Sequence, residues 1–530
     1  MPTIVERTPY GKHDDEVVAR AARIARRGFA VVVQDIRGRY MSDGDFRPFF
    51  AGQHDDPDGF DCVQWVAAEE WSNGRVGVMG HSYSALMAWE LAYQQPPALG
   101  ALFVGGMVGD SRDVWPGAFR VGRQLYWSLV TLGANLAARD ARDEASFRAA
   151  QEKAEARWAE CGASWMRLPM RNVPERELGA LAPYWKDWVE NHHHDWFRLF
   201  ERIERIHVPV KHFTGWHDRF VEGVRLFEAL AGRDDYQLPH ELVIGPWTHE
   251  ASFKRGASVG DLDLGDEAQV DLEDVAADWF ARTLRGSPPS TPTPCIDLFV
   301  MGTNEWLSGS EWPFAGSQVT NLYLSGNEKR LGRLVSSPSE QSAMDLLVDF
   351  DDPMPSVDRP DFHCAPLDLR PVWERSDYVS YFYDARSPMM ILGRARVVLW
   401  AEAFARDLDW VVRLVLRRND GRIVPIARGF LRSSFRDGYL RRVPLEPGAT
   451  SRFDITLTPT CQVVSEGESL GVMISHSDFP NYERNDWCVS ESACASDAES
   501  QRIASRILHG PVTPSVLQLP VRPARDRSHR

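Results

Sequence analysis

Two periodicities alternate along the first part of the chain. Residues 17–28 place apolar side chains at helical spacing and end at Gly28, which predicts an amphipathic helix. Residues 29–38 form a nearly continuous apolar run that enters a polar loop, as expected of a buried strand. A helix over residues 58–71 and a strand over residues 75–80 follow. This alternation predicts a parallel sheet covered by helices.

The pattern changes over residues 110–200, where Trp, Ala, Arg and Glu dominate and predict a helical insertion. The alternation then returns. Two further strands, each running into a short loop, are predicted over residues 207–218 and 240–250, and a helix over residues 272–286.

A Pro/Ser-rich stretch at residues 286–294 ends this pattern. After it, short β-rich runs separated by turns, beginning with residues 295–301, predict a C-terminal antiparallel β-sandwich of roughly 200 residues. We therefore predict an α/β core in two parts, residues 1–109 and 201–316, a helical segment at 110–200 and a β-sandwich at 317–530.

Composition narrows the classes of function. The 530 residues carry a net charge of −15, and nucleic-acid binding is not expected because it needs clustered Lys and Arg. Residues 1–16 lack an apolar signal segment, and no run approaches the ~20 apolar residues that span a bilayer. We expect a cytoplasmic protein that does not bind membranes.

Neither cysteine nor histidine spacing indicates a metal site. The seven cysteines are scattered without a C-x-x-C pair, which favours free thiols and argues against zinc. The adjacent histidines His192–His194 rarely converge on one ion without a suitably spaced carboxylate, and we interpret them as structural. No metal is predicted.

Ser82 stands between the strand at 75–80 and a helical run. A serine on a tight strand-to-helix turn has the geometry of a nucleophile elbow. Taken alone, Ser82 is explained equally well as the N-cap residue of the following helix. Asp218 and His249 each follow a predicted strand, in the order expected of a Ser-Asp-His triad on an α/β sheet. Each alone would be interpreted as a loop residue. Their joint order makes coincidence much less plausible.

The segments that carry these residues, "GRVGVMGHSY", "GWHDRF" and "IGPWTH", resemble the cocaine-esterase/X-prolyl dipeptidyl-peptidase family of serine hydrolases. "VVVQDIRGRYMSDGDF", "LFVMGTNEW" and "SHSDFPNYERN" match as well, so the resemblance covers nearly the whole chain. It implies an α/β-hydrolase core, a helical cap inserted into it and a C-terminal jelly-roll (galactose-binding-like) domain. It also implies a homodimer as a candidate assembly.

Carried over by motif, the resemblance implies Ser82 as nucleophile, Asp218 as acid and His249 as base. It implies an oxyanion hole built from the backbone N–H of Tyr83 and the hydroxyl of Tyr10, which lies in the family's R-x-P-Y segment, here "RTPY". Two donors aimed at the developing oxyanion would stabilise the tetrahedral intermediate.

Other positions concern the substrate. Phe220 matches an aromatic position of the acyl pocket, and Trp115 is a second candidate, although core packing explains Trp115 equally well. Arg219 replaces a small residue of many relatives, and it either attracts an acidic substrate or, as we favour, pairs with a surface carboxylate. Ala85 stands where relatives have glycine. Relatives also begin with extra strands, so we expect a shorter or covered sheet edge.

The resulting hypothesis is a cofactor-independent serine hydrolase acting on a small-molecule ester or amide through an acyl-enzyme, with a carboxylesterase for bulky or aromatic acyl groups favoured. The alternatives are an X-Pro dipeptidyl-peptidase, a β-lactam acylase or amino-ester hydrolase, and a biosynthetic acyltransferase. A non-catalytic binding scaffold is disfavoured because all three triad residues are present. An ordinary histidine as base predicts that activity falls as pH drops through roughly 6–7.

Overall fold

The computed structural model describes most of the chain in two sheet-based parts. The described residues are 1–46, 48–49, 57–113, 117–167, 184–185, 197–250, 253–286, 295–314, 316–326, 330–349, 351–357, 364–439, 441–485 and 502–523. Trp115 and His192–His194 lie outside them.

The first sheet has eight strands and forms the core of the N-terminal part. Its strands are β1 (Thr3–Thr8), β2 (Ala30–Asp35), β3 (Val76–His81), β4 (Leu99–Gly105), β5 (Val210–Gly215), β6 (His240–Gly245), β7 (Cys295–Val300) and β8 (Glu305–Gly309). They lie in the order β8-β7-β6-β5-β4-β3-β1-β2, and all neighbours are parallel except β7 and β8. The predicted parallel sheet is confirmed.

Eight α-helices lie within the described residues: α1 (Asp15–Ala25), α2 (Asp58–Ala68), α3 (Tyr83–Tyr93), α4 (Val121–Tyr126), α5 (Ala134–Ala137), α6 (Glu144–Met166), α7 (Val224–Ala231) and α8 (Leu272–Leu284). The Asp14 carboxylate caps α1 by accepting the N–H groups of Glu16 and Val17, which fixes where the helix begins. Every residue of α3 is buried, as expected of a helix that is apolar on all sides. None of the described helices is long and apolar enough to cross a membrane.

Within the described residues, most of the insertion after β4 is helical. Helix α4 continues through a π-helical segment, Trp127–Gly133, into α5. Helix α6 begins after Asp143, whose carboxylate accepts the N–H of Ser146. The predicted boundaries at residues 109, 200 and 316 stay predictions.

The C-terminal part is built from eleven strands in a second sheet. They are β9 (Gln318–Ser325), β10 (Leu331–Val335), β11 (Ser342–Asp349), β12 (Tyr378–Asp384), β13 (Met389–Ala403), β14 (Asp409–Arg417), β15 (Ile423–Arg432), β16 (Thr450–Val464), β17 (Ser469–Ser475), β18 (Arg502–His509) and β19 (Val516–Pro523). Their order is β11-β18-β13-β19-β9-β10-β12-β17-β14-β15, with β16 paired to β13. All these pairs are antiparallel except β10 with β12.

One strand lies in the first sheet, within the predicted core at 201–316, although its local pattern resembles that of the sandwich strands. The run at 295–301 reads like the β-rich runs that follow it, but β7 pairs in parallel with β6 in the first sheet. Leu298 and Phe299 are adjacent and fully buried, so both faces of the strand are covered at its carboxyl end, as in a parallel sheet packed on both sides. Helix α8 supplies the crossover between β6 and β7, as a parallel pair requires.

The second sheet packs against both the core and the insertion. Arg394 on β13 forms ion pairs with Glu222 at 2.9 Å and with Glu228 on α7 at 2.7 Å. On the insertion side, the Arg120 guanidinium donates to the Tyr482 hydroxyl at 3.0 Å. Residues 216–219, which follow β5, line one cavity with residues of β14 and β15, so the second sheet faces the carboxyl end of β5.

Candidate active site

Ser82 occupies a sharp turn between β3 and α3. Its backbone has φ 58° and ψ −127°, and its N–H donates to the Gly105 carbonyl at 2.9 Å. Gly80 makes this turn possible, because a Cβ atom there would lie 2.4 Å from the carbonyl carbon of Ser84. Ala85 is completely buried at the start of α3. The observed turn has the geometry of a nucleophile elbow.

The structure brings Ser82, His249 and Asp218 together in one hydrogen-bonded chain. His249 Nε2 lies 2.9 Å from Ser82 Oγ, and His249 Nδ1 lies 3.0 Å from each carboxylate oxygen of Asp218. The N–H of Phe220 donates to Asp218 Oδ1 at 2.8 Å and fixes the carboxylate. All three residues follow carboxyl ends of strands, namely β3, β6 and β5, where ligands bind in such sheets.

Burial and positive charge set the protonation state of this chain. Asp218 and His249 are 4% and 5% exposed. Burial lowers the pKa of His249 well below its ordinary value, and the charges of Arg219, Arg123 and Arg255 lower it further. Burial raises the pKa of Asp218. The hydrogen bond from the Phe220 N–H and nearby positive charges oppose this shift and lower the pKa in part. His249 is therefore neutral at physiological pH and can accept a proton from Ser82.

The lowered pKa of His249 changes the expected pH profile. Because a neutral imidazole is needed to accept the Ser82 proton, kcat/KM should stay level through pH 6.5 and fall only below it. This replaces the fall through roughly pH 6–7 expected of an ordinary histidine. We expect Arg123→Gln to move the acid limb to higher pH, and Arg142→Gln, which removes an exposed guanidinium paired with Asp43, to leave it in place.

Rates for a neutral aryl ester, measured from about pH 4.5 to about pH 8, check this expectation. A wild-type acid limb at or above pH 6.5, or one that Arg123→Gln does not move, would contradict it.

Ser82 opens into a small cavity of about 40 Å³. Tyr10, Tyr83 and Phe220 line it with Ser82, and the roles implied for them by the resemblance stay predictions. The remaining lining residues are Phe49, Met107, Arg123, Gln124, Trp127, Phe197 and Arg219. The ring of Phe220 lies 4.7 Å from that of His249, centroid to centroid. The cavity wall is thus mostly aromatic beside the reacting groups.

Arg219 and Trp115 are the other two residues predicted to contact the substrate. Arg219 is 6% exposed and lines the cavity, and its favoured pairing with a surface carboxylate stays a prediction. Trp115 lies outside the described residues, and its place in a pocket stays a prediction.

Sequence reasoning missed His81 and Gly106 altogether. The centroid of the His81 ring lies 4.6 Å from that of the His249 ring, with the two planes tilted by 32°. A Cβ on Gly106, which has φ 61°, would lie 2.4 Å from His81 Nε2. The absence of a side chain at Gly106 thus leaves room for both imidazoles. His81, Asp218 and His249 are also the one cluster of metal-ligand type among the described residues. The expected absence of a metal stays a prediction.

Comparison with known proteins places this geometry in a family. Residues 1–251 match the X-Pro dipeptidyl-peptidase (S15) family, and residues 290–518 match the X-Pro dipeptidyl-peptidase C-terminal non-catalytic domain. Cocaine esterase of Rhodococcus sp. (strain MB1 Bresler) is 30% identical over 553 residues, covering 98% of this chain and 94% of that protein. The chain belongs to the cocaine-esterase/S15 family of serine hydrolases.

Solved structures agree with this family assignment. An aminopeptidase from a marine sediment archaeon, Thaumarchaeota archaeon, superposes with a TM-score of 0.81 at 21% identity, covering 98% of this chain and 92% of that one. An α-amino acid ester hydrolase gives a TM-score of 0.76 at 22% identity with the same coverage of both chains. At these identities the similarity establishes the fold, which is an α/β-hydrolase core with a C-terminal β domain. The predicted fold class is confirmed.

Proposed function

We propose that this serine hydrolase is a carboxylesterase that cleaves its substrate through an acyl-enzyme on Ser82. The observation that carries the proposal is the hydrogen-bonded chain from Ser82 through His249 to Asp218, with Ser82 opening into an aromatic cavity. The 30% identity to cocaine esterase supports an ester as the bond that is cleaved.

The proposed mechanism follows from the contacts of each group. Ser82 Oγ attacks the ester carbonyl while His249 Nε2 accepts its proton, and Asp218 stabilises the resulting imidazolium through Nδ1. The Tyr83 N–H and the Tyr10 hydroxyl donate to the oxyanion. His249 then protonates the leaving alcohol, and a water molecule, deprotonated by His249, releases the acid.

The cavity lining supports an acyl group with an apolar or aromatic body. Phe49, Trp127, Phe197 and Phe220 supply the kind of flat apolar surface on which an aromatic acyl group packs. An X-Pro dipeptidyl-peptidase or an amino-ester hydrolase must bind the ammonium group of its substrate. No carboxylate occurs among the described residues that line this cavity, which favours the esterase over both.

Intact-mass spectrometry after treatment with a fluorophosphonate tests the proposal. We expect one adduct on the wild type, one on Ser84→Ala and none on Ser82→Ala. Ser84 is a matched control because it lies two residues away on α3 and is buried. Absence of an adduct on folded wild-type protein would overturn the proposal and favour the binding scaffold.

A substrate panel then separates the reaction classes. Aryl esters, X-Pro anilides, α-amino acid esters and a β-lactam are compared by kcat/KM, each with and without an added alcohol as acyl acceptor. The carboxylesterase predicts the highest value for aryl esters and release of the free acid. A cytoplasmic location and a homodimer stay predictions.

A further inference from the structure

The charged side chains that line the Ser82 cavity within the described part of the chain are both positive. Arg123 on α4 and Arg219 after β5 are the charged side chains among the described residues that line the Ser82 cavity. They come from different elements, one in the insertion and one in the core. An aromatic cavity that faces two guanidinium groups is suited to a substrate with an apolar body and a negative end.

These positive charges act at the reacting groups. Arg219 is adjacent in sequence to Asp218, and its side chain is almost wholly buried. Both guanidinium groups also interact with other parts of the protein, yet both still lower the pKa of His249. A charge that is buried in this way is weakly screened, so an anionic substrate group nearby would feel it strongly.

Arg219 also lines a second cavity. It has a volume of about 560 Å³, lies between the core and the second sheet, and is lined by seven arginines and six carboxylates, Arg219 and Asp218 included. Each of these carboxylates already has a basic partner. Asp218 contacts His249, and the other five, Asp113, Glu222, Glu228, Asp454 and Asp478, form ion pairs with arginines at 2.5 to 2.9 Å.

The described lining of the Ser82 cavity therefore offers no carboxylate to an ammonium group, whereas it presents two guanidinium groups to an anion. We propose that the natural substrates are esters whose acyl group carries a carboxylate, held by Arg123 and Arg219 while the aromatic walls pack on the acyl body. This inference rests on the proposed esterase function and specifies its substrate class.

Three aryl esters with the same 4-nitrophenol leaving group test the acyl charge. Their acyl groups are 4-carboxybenzoyl, the neutral isostere 4-carbamoylbenzoyl and the cationic 4-(aminomethyl)benzoyl. Each kcat/KM is divided by the rate of alkaline hydrolysis of the same ester, which removes differences in intrinsic reactivity. We expect the carboxylate ester to exceed its neutral isostere by about tenfold to a hundredfold, and the cationic ester to be the poorest.

Variants connect the preference to the two arginines. Arg219→Gln and Arg123→Gln should each lower the ratio of carboxylate to neutral ester by about tenfold. Two positions are used because Arg219→Gln could also disturb Asp218, whereas Arg123 lies on another element. Arg506→Gln is the control, since Arg506 is exposed on β18 and pairs with Asp345, and it should leave the ratio unchanged.

The outcomes separate this inference from the function on which it rests. A wild type that prefers the neutral or the cationic ester, or a ratio that neither active-site variant changes, overturns the substrate class alone. A preference seen only when the carboxylate is on the leaving group, as in 4-carboxyphenyl benzoate, also overturns it. If folded wild-type protein neither hydrolyses the esters nor reacts with the fluorophosphonate, the proposed esterase function is wrong. The inferred substrate class then falls with it.

Discussion

Replacing Asp218 by Asn is expected to lower kcat by about 10⁴-fold while the protein stays folded. Both carboxylate oxygens of Asp218 lie 3.0 Å from His249 Nδ1, so the carboxylate holds the ring proton on Nδ1. The unprotonated Nε2 then faces the Ser82 hydroxyl. An amide can present its own N–H to Nδ1, which places the ring proton on Nε2. The imidazole then cannot accept the proton of Ser82.

The test compares steady-state kcat of Asp218→Asn with that of Asp235→Asn, an exposed carboxylate paired with Arg233. Thermal unfolding of each variant reports whether the fold is retained. The Phe220 N–H should keep an acceptor, because the amide oxygen can replace the carboxylate oxygen that accepts it now. A loss smaller than about tenfold in a folded variant would contradict the proposed role of Asp218.

Replacing Tyr10 by Phe is expected to lower kcat by about 10²- to 10³-fold with little change in KM. A donor to the oxyanion acts in the transition state and not on the bound ester, so its removal appears in kcat. Tyr10 lines the Ser82 cavity, and the loop that carries it is held by buried Arg39, whose Nε donates to the Pro9 carbonyl at 2.7 Å. The side chain is thus presented from a fixed backbone.

Tyr83→Phe is the matched control for this experiment. The Tyr83 hydroxyl accepts the N–H of Phe49 at 2.9 Å, whereas its own backbone N–H is the proposed oxyanion donor and survives the substitution. We expect Tyr83→Phe to cost much less in kcat than Tyr10→Phe. An effect of Tyr10→Phe confined to KM would indicate a substrate-packing role instead.

Sequence reasoning succeeded where function depends on local order along the chain. A serine between a strand and a helix, and an acid and a histidine each after a strand, can be read from short segments because parallel strands end at one edge of the sheet. That edge brings Ser82, Asp218 and His249 within hydrogen-bond distance. The family resemblance added Tyr10, which no local pattern would select.

It failed where the relevant contact is distant in sequence. Arg123 reaches the Ser82 cavity from the insertion, and His81 meets His249 across the sheet, and neither stands in a motif that predicts the contact. The run at 295–301 resembles the later sandwich strands in its local pattern, and its pairing with the first sheet cannot be read from that pattern. Pairing of that kind depends on tertiary packing, which composition and periodicity do not encode.

The backbone of Ser82 has a consequence for the history and engineering of this enzyme. A non-glycine residue at φ 58° and ψ −127° lies in a region that L-residues rarely occupy, at a cost on the order of 1–3 kcal/mol. Glycine at position 82 would relieve this conformational cost, but it would also remove the nucleophilic hydroxyl. Selection for thermostability and selection for turnover therefore oppose each other at this residue, and libraries screened only for folding would drift toward an inert protein there.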